Sequence, residues 1–264
     1  MDWLEAVIIA TVEGLTEFLP VSSTGHMILA QGFMGITSDE FVKAFTVIIQ
    51  FGAILSVLIL YWRRFLQSLD FYWKLLIAFL PAAVFGFLFS DAIDALLENV
   101  EIVAVMLIVG GVFMLFADQL FAQTSANQNI GWRKALIIGL CQCIAMIPGV
   151  SRSMATIAGG MSQKLTRKNA AEFSFFLAVP TMAAASGYKM LKLFLDDSSR
   201  ELLLNNINIL IAGNIVAFVV ALLAIKVFIS FLTKYGFKAF GYYRIAAGAI
   251  ILIMLACGYN LQIA

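Results

Sequence analysis

Groups capable of chemistry concentrate in one stretch, Glu13-Gly-Leu-Thr16-Glu17-Phe-Leu-Pro20-Val-Ser22-Ser23-Thr24-Gly-His26. Two carboxylates, four hydroxyls and the only histidine of the chain fall within these fourteen residues. Glu13 and Glu17 are four apart, so on a helix they share one face. Two carboxylates this close in a low dielectric repel, and a cation, a shared proton or an arginine would settle them. The pair is also a minimal anchor for Mg²⁺ or Ca²⁺, which would keep other positions for water and phosphate oxygens. His26 is the only side chain of the stretch whose unperturbed pKa is near neutrality, which makes it the natural proton carrier or nucleophile. Ser23 could attack phosphorus with His26 as its base. Equally, His26 could attack directly while the hydroxyls hold the oxygens.

A second stretch complements the first: Pro148-Gly149-Val150-Ser151-Arg152-Ser153-Met154-Ala155-Thr156. Its arginine follows a proline-glycine bend and opens an apolar helix. A guanidinium at membrane depth wants an anion, and its planar fork suits phosphate. The start of the next helix adds backbone donors and a favourable dipole. Neutralising Glu13 or Glu17 is the plainer role for the same side chain.

These groups need elements to position them, and the rest of the chain is oil. Of 264 residues, 62% are hydrophobic and 12% charged, with a mean hydropathy of +0.96. A soluble domain carries about 25% charged residues. The composition therefore predicts an all-α integral membrane protein, a single membrane domain over residues 1–264. Six apolar runs (42–62, 71–89, 102–121, 169–190, 207–232 and 242–259) are each near the ~20 residues that cross a bilayer as a helix. Their period is helical, which excludes a membrane β-barrel. The cysteine pair Cys141 and Cys143 has neither zinc spacing nor histidine support.

The sequence also meets itself at an offset of 128, giving repeats of about 1–124 and 130–264. Phe18-Leu19-Pro20 falls on Met146-Ile147-Pro148, and Ala44-Phe45-Thr46 on Glu172-Phe173-Ser174. Each copy reads as a short helix, a proline, a Ser/Gly-rich bend, a second short helix and three long helices. Pro20 and Pro148 break their helices, and broken backbone at membrane depth needs protein or water to satisfy it. The two segments are thus re-entrant hairpins or broken spans.

Charge decides between these. If both segments are re-entrant, one face receives Arg63, Arg64, Lys74, Arg133, Lys134, Lys164, Arg167, Lys168, Lys226, Lys234, Lys238 and Arg244. The other receives Lys43, Lys189, Lys192 and Arg200, with acids such as Asp91, Asp94, Glu98, Glu101, Asp196 and Asp197. Letting the second segment cross would even the split. The positive-inside rule favours six transmembrane helices plus two re-entrant helical hairpins, with the basic loops cytoplasmic. Three crossings per half make this an inverted-topology repeat. The hairpins then enter from opposite faces, bringing Ser22, Ser23 and His26 toward Ser151, Arg152 and Ser153. Gly110-Gly111 suits close helix packing, and Tyr242 and Tyr243 suit an interfacial belt.

At these residues the chain resembles the undecaprenyl-diphosphate phosphatases, bacterial membrane enzymes linked to bacitracin resistance. The Glu13–His26 stretch is similar to their first signature and Pro148–Ser153 to their second, and 172–180 fits as well. The resemblance implies hydrolysis of undecaprenyl diphosphate to undecaprenyl phosphate and phosphate, recycling the lipid carrier of peptidoglycan synthesis. It implies a site on the outer side of the cell inner membrane and help from Mg²⁺ or Ca²⁺, with Glu13 and Glu17 as metal residues. Glu13, Glu17, Ser23, His26 and Arg152 would be catalytic, with Ser22, Thr24, Ser151, Ser153 and Thr156 holding substrate. The expected partners are a polyprenyl diphosphate and membrane lipids, with a homodimer compatible and no nucleic acid. Where glycine is usual after Ser-Arg-Ser this chain has Met154, and a positive φ there would strain it. The rival is a polyprenyl-phosphate flippase, since inverted repeats with broken helices also suit alternating access.

Overall fold

The computed structural model describes residues 1–37, 39–66, 68–97, 99–259 and 261, apart from the side chains at 91, 94, 95 and 97. Glu98 and the side chains of Asp91 and Asp94, counted above to the acidic face, lie outside this set. All regular secondary structure among the described residues is helical, with no strand. The order is α1 (Trp3–Thr16), α2 (Ser23–Met34), α3 (Glu40–Leu60), α4 (Trp62–Phe65), α5 (Leu69–Leu88), α6 (Ser90–Leu97) and α7 (Val100–Leu120). Then follow α8 (Trp132–Ile144), α9 (Arg152–Ser162), α10 (Arg167–Leu195), α11 (Asp197–Asn205), α12 (Ile207–Tyr235) and α13 (Lys238–Ala256).

Local chemistry sets several of the helix starts. Asp2 caps α1 in a capping box with Glu5, and Asp39, Asn99 and Thr166 cap α3, α7 and α10 by accepting from a backbone N–H. Such caps satisfy donors that a helix start leaves without intrahelical partners. Five helices, α3, α5, α7, α12 and α13, are long and apolar enough to cross a membrane. Their outward faces carry large apolar side chains such as Phe87, Val109 and Leu223. This is the architecture of a multi-pass integral membrane protein. The sixth expected run lies on α10, which has 29 residues but is more polar and falls outside these five.

The short helices pair into two hairpins, α1 with α2 and α8 with α9. With 14, 12, 13 and 11 residues, each arm is roughly 17–21 Å long at 1.5 Å per residue, short of a ~30 Å hydrocarbon core. Packing exchanges the halves of the chain: α1 lies on α12 and α8 on α5, while α7 packs on α13 and α3 on α10. The outer ends of the second hairpin lie together, since Ser125 N–H donates to the Lys164 carbonyl at 2.9 Å.

The hairpin tips sit in the main core. Phe18, Val21, Val150, Met154 and Phe175 are buried in one cluster, with Phe18 edge-on to Phe175 at 5.3 Å. The tips differ in length. Pro20 and Pro148 hold the offset of 128, but the cap of α2 is Ser22 and that of α9 is Ser151. The second tip thus has one extra residue, and Gly149 takes a φ of +88° there.

Candidate functional site

Glu17 ends α1 and Arg152 begins α9, so the two tips place an anion and a cation at their meeting point. Arg152 Nη2 lies 3.2 Å from Glu17 Oε1, with both side chains largely buried. Its Nη1 donates to the Ser174 carbonyl at 3.0 Å. Arg152 Nε is buried without a partner, and the guanidinium lies 5.9 Å from the Phe18 ring centre. The other oxygen of Glu17 accepts from Ser23 Oγ at 2.8 Å. A carboxylate therefore sits on the Ser23 hydroxyl, with an arginine on the far side of that carboxylate.

Glu13, one turn back on α1, is fully buried, and neither carboxylate oxygen has a hydrogen-bond partner. These oxygens are a fitting donor for a hard divalent cation. Among the described residues no cluster of three or more His, Cys, Asp or Glu gathers, so water and substrate oxygens would complete such a shell.

Both hairpins enter their second helix through strained serines. Ser22 has φ +71° and Ser151 has φ +75°, a region costing non-glycine residues on the order of 1–3 kcal/mol. Past these serines, Arg152 at the start of α9 reaches across to Glu17 of the first hairpin, and Ser23 at the start of α2 turns back to the same carboxylate. Thr24 follows in the first turn of α2, partly buried.

Ser153 and Thr156 are fully buried and brace the tips. Ser153 Oγ donates to the Leu19 carbonyl at 2.7 Å and lies 3.1 Å from Ser151 Oγ. Thr156 Oγ1 donates to the Arg152 carbonyl at 2.8 Å and lies 2.6 Å from Ser174 Oγ. Met154 occupies regular helix in α9, and positive φ falls instead on Gly149 and Ser151. The departure from glycine at 154 thus carries no backbone strain.

His26 stands apart from Ser23 in its bonding. Its Nδ1 is 2.8 Å from the Ser22 carbonyl and its Nε2 is 2.7 Å from Tyr243 Oη. Neither nitrogen is directed at Ser23, whose hydroxyl belongs to Glu17.

One residue changes place outright. Arg244, counted above with the cytoplasmic charges, is fully buried. Its guanidinium donates to Pro20 at 3.1 Å, Val150 at 3.0 Å, Gly149 at 2.6 Å, Met106 at 3.1 Å and Leu107 at 3.3 Å, all backbone carbonyls. One side chain on α13 thereby ties both tips to α7. The signal was an arginine two turns inside an apolar helix, which is rare unless it has work to do. Without it the basic residues still divide eleven against four. Ser174, which braces Arg152 and Thr156, gave no signal beyond its place under Thr46 in the repeat.

The family model for bacitracin resistance protein BacA matches residues 6–250. The chain belongs to that family. An undecaprenyl-diphosphatase of Flavobacterium johnsoniae is 60% identical over 257 residues, covering 96% of each chain. One of Porphyromonas gingivalis is 54% identical over 282 residues and covers 100% of both. One of a Sulfurovum species is 44% identical over 260 residues, covering 97% of this chain and 100% of its own.

Proposed function

We propose that this protein is an undecaprenyl-diphosphatase, which hydrolyses undecaprenyl diphosphate to undecaprenyl phosphate and inorganic phosphate and so returns the lipid carrier to cell-wall synthesis. The observation that carries this is the Glu17–Ser23–Arg152 cluster, where a hydroxyl rests on a carboxylate beside a guanidinium with an unpaired Nε. The names of the relatives support the substrate. A lipid with a diphosphate head suits a polar site walled by apolar helices.

In this reading Arg152 turns its fork to the phosphates, with the hydroxyls of Ser22, Thr24 and Ser151 around them. Ser23 Oγ bonds to the terminal phosphorus as the bridging P–O bond breaks. Undecaprenyl phosphate leaves, and Glu17 takes the serine proton. Water then bonds to the same phosphorus and the serine–phosphorus bond breaks. The proton on Glu17 returns to Ser23, and phosphate departs with both hydrogens of the water. Mg²⁺ or Ca²⁺ would be held by Glu13 with Glu17 and would neutralise phosphate charge. Ser153 and Thr156 act by holding the tips.

The architecture that goes with this reading has six crossings, α10 being the sixth, and two re-entrant hairpins in an inverted repeat of residues 1–124 and 130–264. The short hairpin arms and the exchange of halves in the packing support it. The basic loops would face the cytoplasm and the site the outer side of the cell inner membrane.

Protein purified in detergent should release phosphate from undecaprenyl diphosphate. Glu17→Ala and Arg152→Ala should each lower kcat/KM by roughly 100-fold or more, about 2.7 kcal/mol of transition-state stabilisation. Parental rates in both variants would overturn the site. A flippase would instead move lipid across sealed vesicles and release no phosphate.

A further inference from the structure

Both ring nitrogens of His26 are committed, and their partners fix where the proton sits. Nδ1 lies 2.8 Å from the Ser22 carbonyl. A carbonyl oxygen only accepts, so Nδ1 is the donor and carries hydrogen. In the neutral ring the lone pair is then on Nε2. Nε2 lies 2.7 Å from Tyr243 Oη, so the phenol donates to it. The two rings also stack, 5.4 Å apart and 12° from parallel. Tyr243 comes from α13, immediately before the Arg244 that ties the tips together, and half of its surface is exposed.

We infer that Tyr243 is the positioning residue of His26. With the Ser22 carbonyl keeping the hydrogen on Nδ1, the phenol holds the basic nitrogen toward α13, away from Ser23. The consequence for catalysis rests on the phosphatase reading. His26 is not the base of Ser23 but a second proton-accepting unit, reached through the phenol. A water that loses a proton to Tyr243 Oη becomes hydroxide, while the phenol's own hydrogen passes to Nε2. The result is neutral tyrosine and an imidazolium. The hydroxide bonds to the serine-bound phosphorus, and the proton then returns through Tyr243 to a phosphate oxygen, so phosphate still departs with both hydrogens of the water. The stack keeps the two rings in register for this exchange.

His26 is the only histidine in the chain, so ¹⁵N-histidine labelling reports on this ring alone. Wild-type protein in detergent should give a protonated Nδ1 and an unprotonated Nε2. Tyr243→Phe keeps the ring and removes the donor. Its Nε2 resonance should move, while Nδ1 stays protonated against the Ser22 carbonyl. The same variant should lower kcat for phosphate release by about tenfold, within the usual range for a proton-transfer group, and leave KM within about twofold. Combined with His26→Gln it should add little to the single change, because the two residues act as one unit. A wild-type ring protonated at Nε2, an unchanged nitrogen spectrum in Tyr243→Phe, or an unchanged kcat in that variant would each overturn the inference. A wild-type protein with the Nδ1–H ring but no phosphate release would sink the phosphatase reading and leave the pairing intact.

Discussion

Arg244 shows how much one side chain can hold. A guanidinium buried without a carboxylate carries a large desolvation cost, and here five carbonyls offset it. Three of them, those of Pro20, Gly149 and Val150, belong to the broken backbone of the tips, which an apolar neighbour would leave unsatisfied. Arg244→Met should therefore cost about 3–5 kcal/mol, since three tip carbonyls lose their donor at about 1–3 kcal/mol each. Thermal unfolding in detergent would read this as a fall of roughly 6–20 °C at 2–4 °C per kcal/mol for a chain of this size. Ser23→Ala separates chemistry from folding. Its loss frees one oxygen of Glu17 and should leave the melting temperature near wild type while phosphate release falls by roughly 100-fold or more. Glu17 and Arg152 were legible in the sequence because charges at membrane depth are scarce and call for each other. The partner of the Ser23 hydroxyl was not. Spacing put His26 three residues from Ser23, and only the hairpin's geometry turned the hydroxyl to Glu17 instead.

At the scale of elements, the helices bring the tips together by close approach. A Cβ added at Gly111 of α7 would stand 2.8 Å from the Gly241 carbonyl, and one at Gly241 of α13 would stand 2.8 Å from the Gly111 carbonyl. Neither position has room for a side chain without moving the partner backbone. Gly111→Leu should push α13 outward, carrying Tyr243 and Arg244 with it, at a cost of at least about 1–3 kcal/mol. Loss of both thermal stability and phosphate release, measured together, checks this, whereas a stable and active variant would contradict it. The Gly110-Gly111 pair was legible as a packing site, but its partner on α13 was not. The cap at Asp196 is a milder case. Hydrogen bonds from Ser198 and Ser199 hold its carboxyl down to about 2 from an ordinary 3.8. The folded value is the lower one, so its contribution is complete above pH 3.8 and fades as pH falls toward 2. Thermal stability should thus be insensitive to this group from neutral pH down to mildly acidic conditions, and Asp196→Asn should flatten only the acid end.

For the whole molecule, the proposed topology has a direct test. With the native cysteines replaced, a single cysteine at Gln123 should react with an impermeant maleimide only from the cytoplasmic side, and one at Ser198 only from the outer side. Labelling of both from one side would contradict six crossings with two re-entrant hairpins. By itself the sequence determined the helical membrane class, the two polar bends and the pairing of an acidic with a basic hairpin. These follow from composition, from proline's missing donor and from the scarcity of charge in oil, all of which are local. Only the tertiary structure decided which hydroxyl met which carboxylate, that Arg244 left the surface tally for the centre of the fold, and that the Tyr243 phenol met Nε2 of His26. The Tyr243–His26, Arg152–Glu17 and Arg244–Pro20 contacts join residues more than a hundred positions apart, and the short Ser23–Glu17 bond is set by the bend between two helices; no local rule sets the rotation of one helix against another.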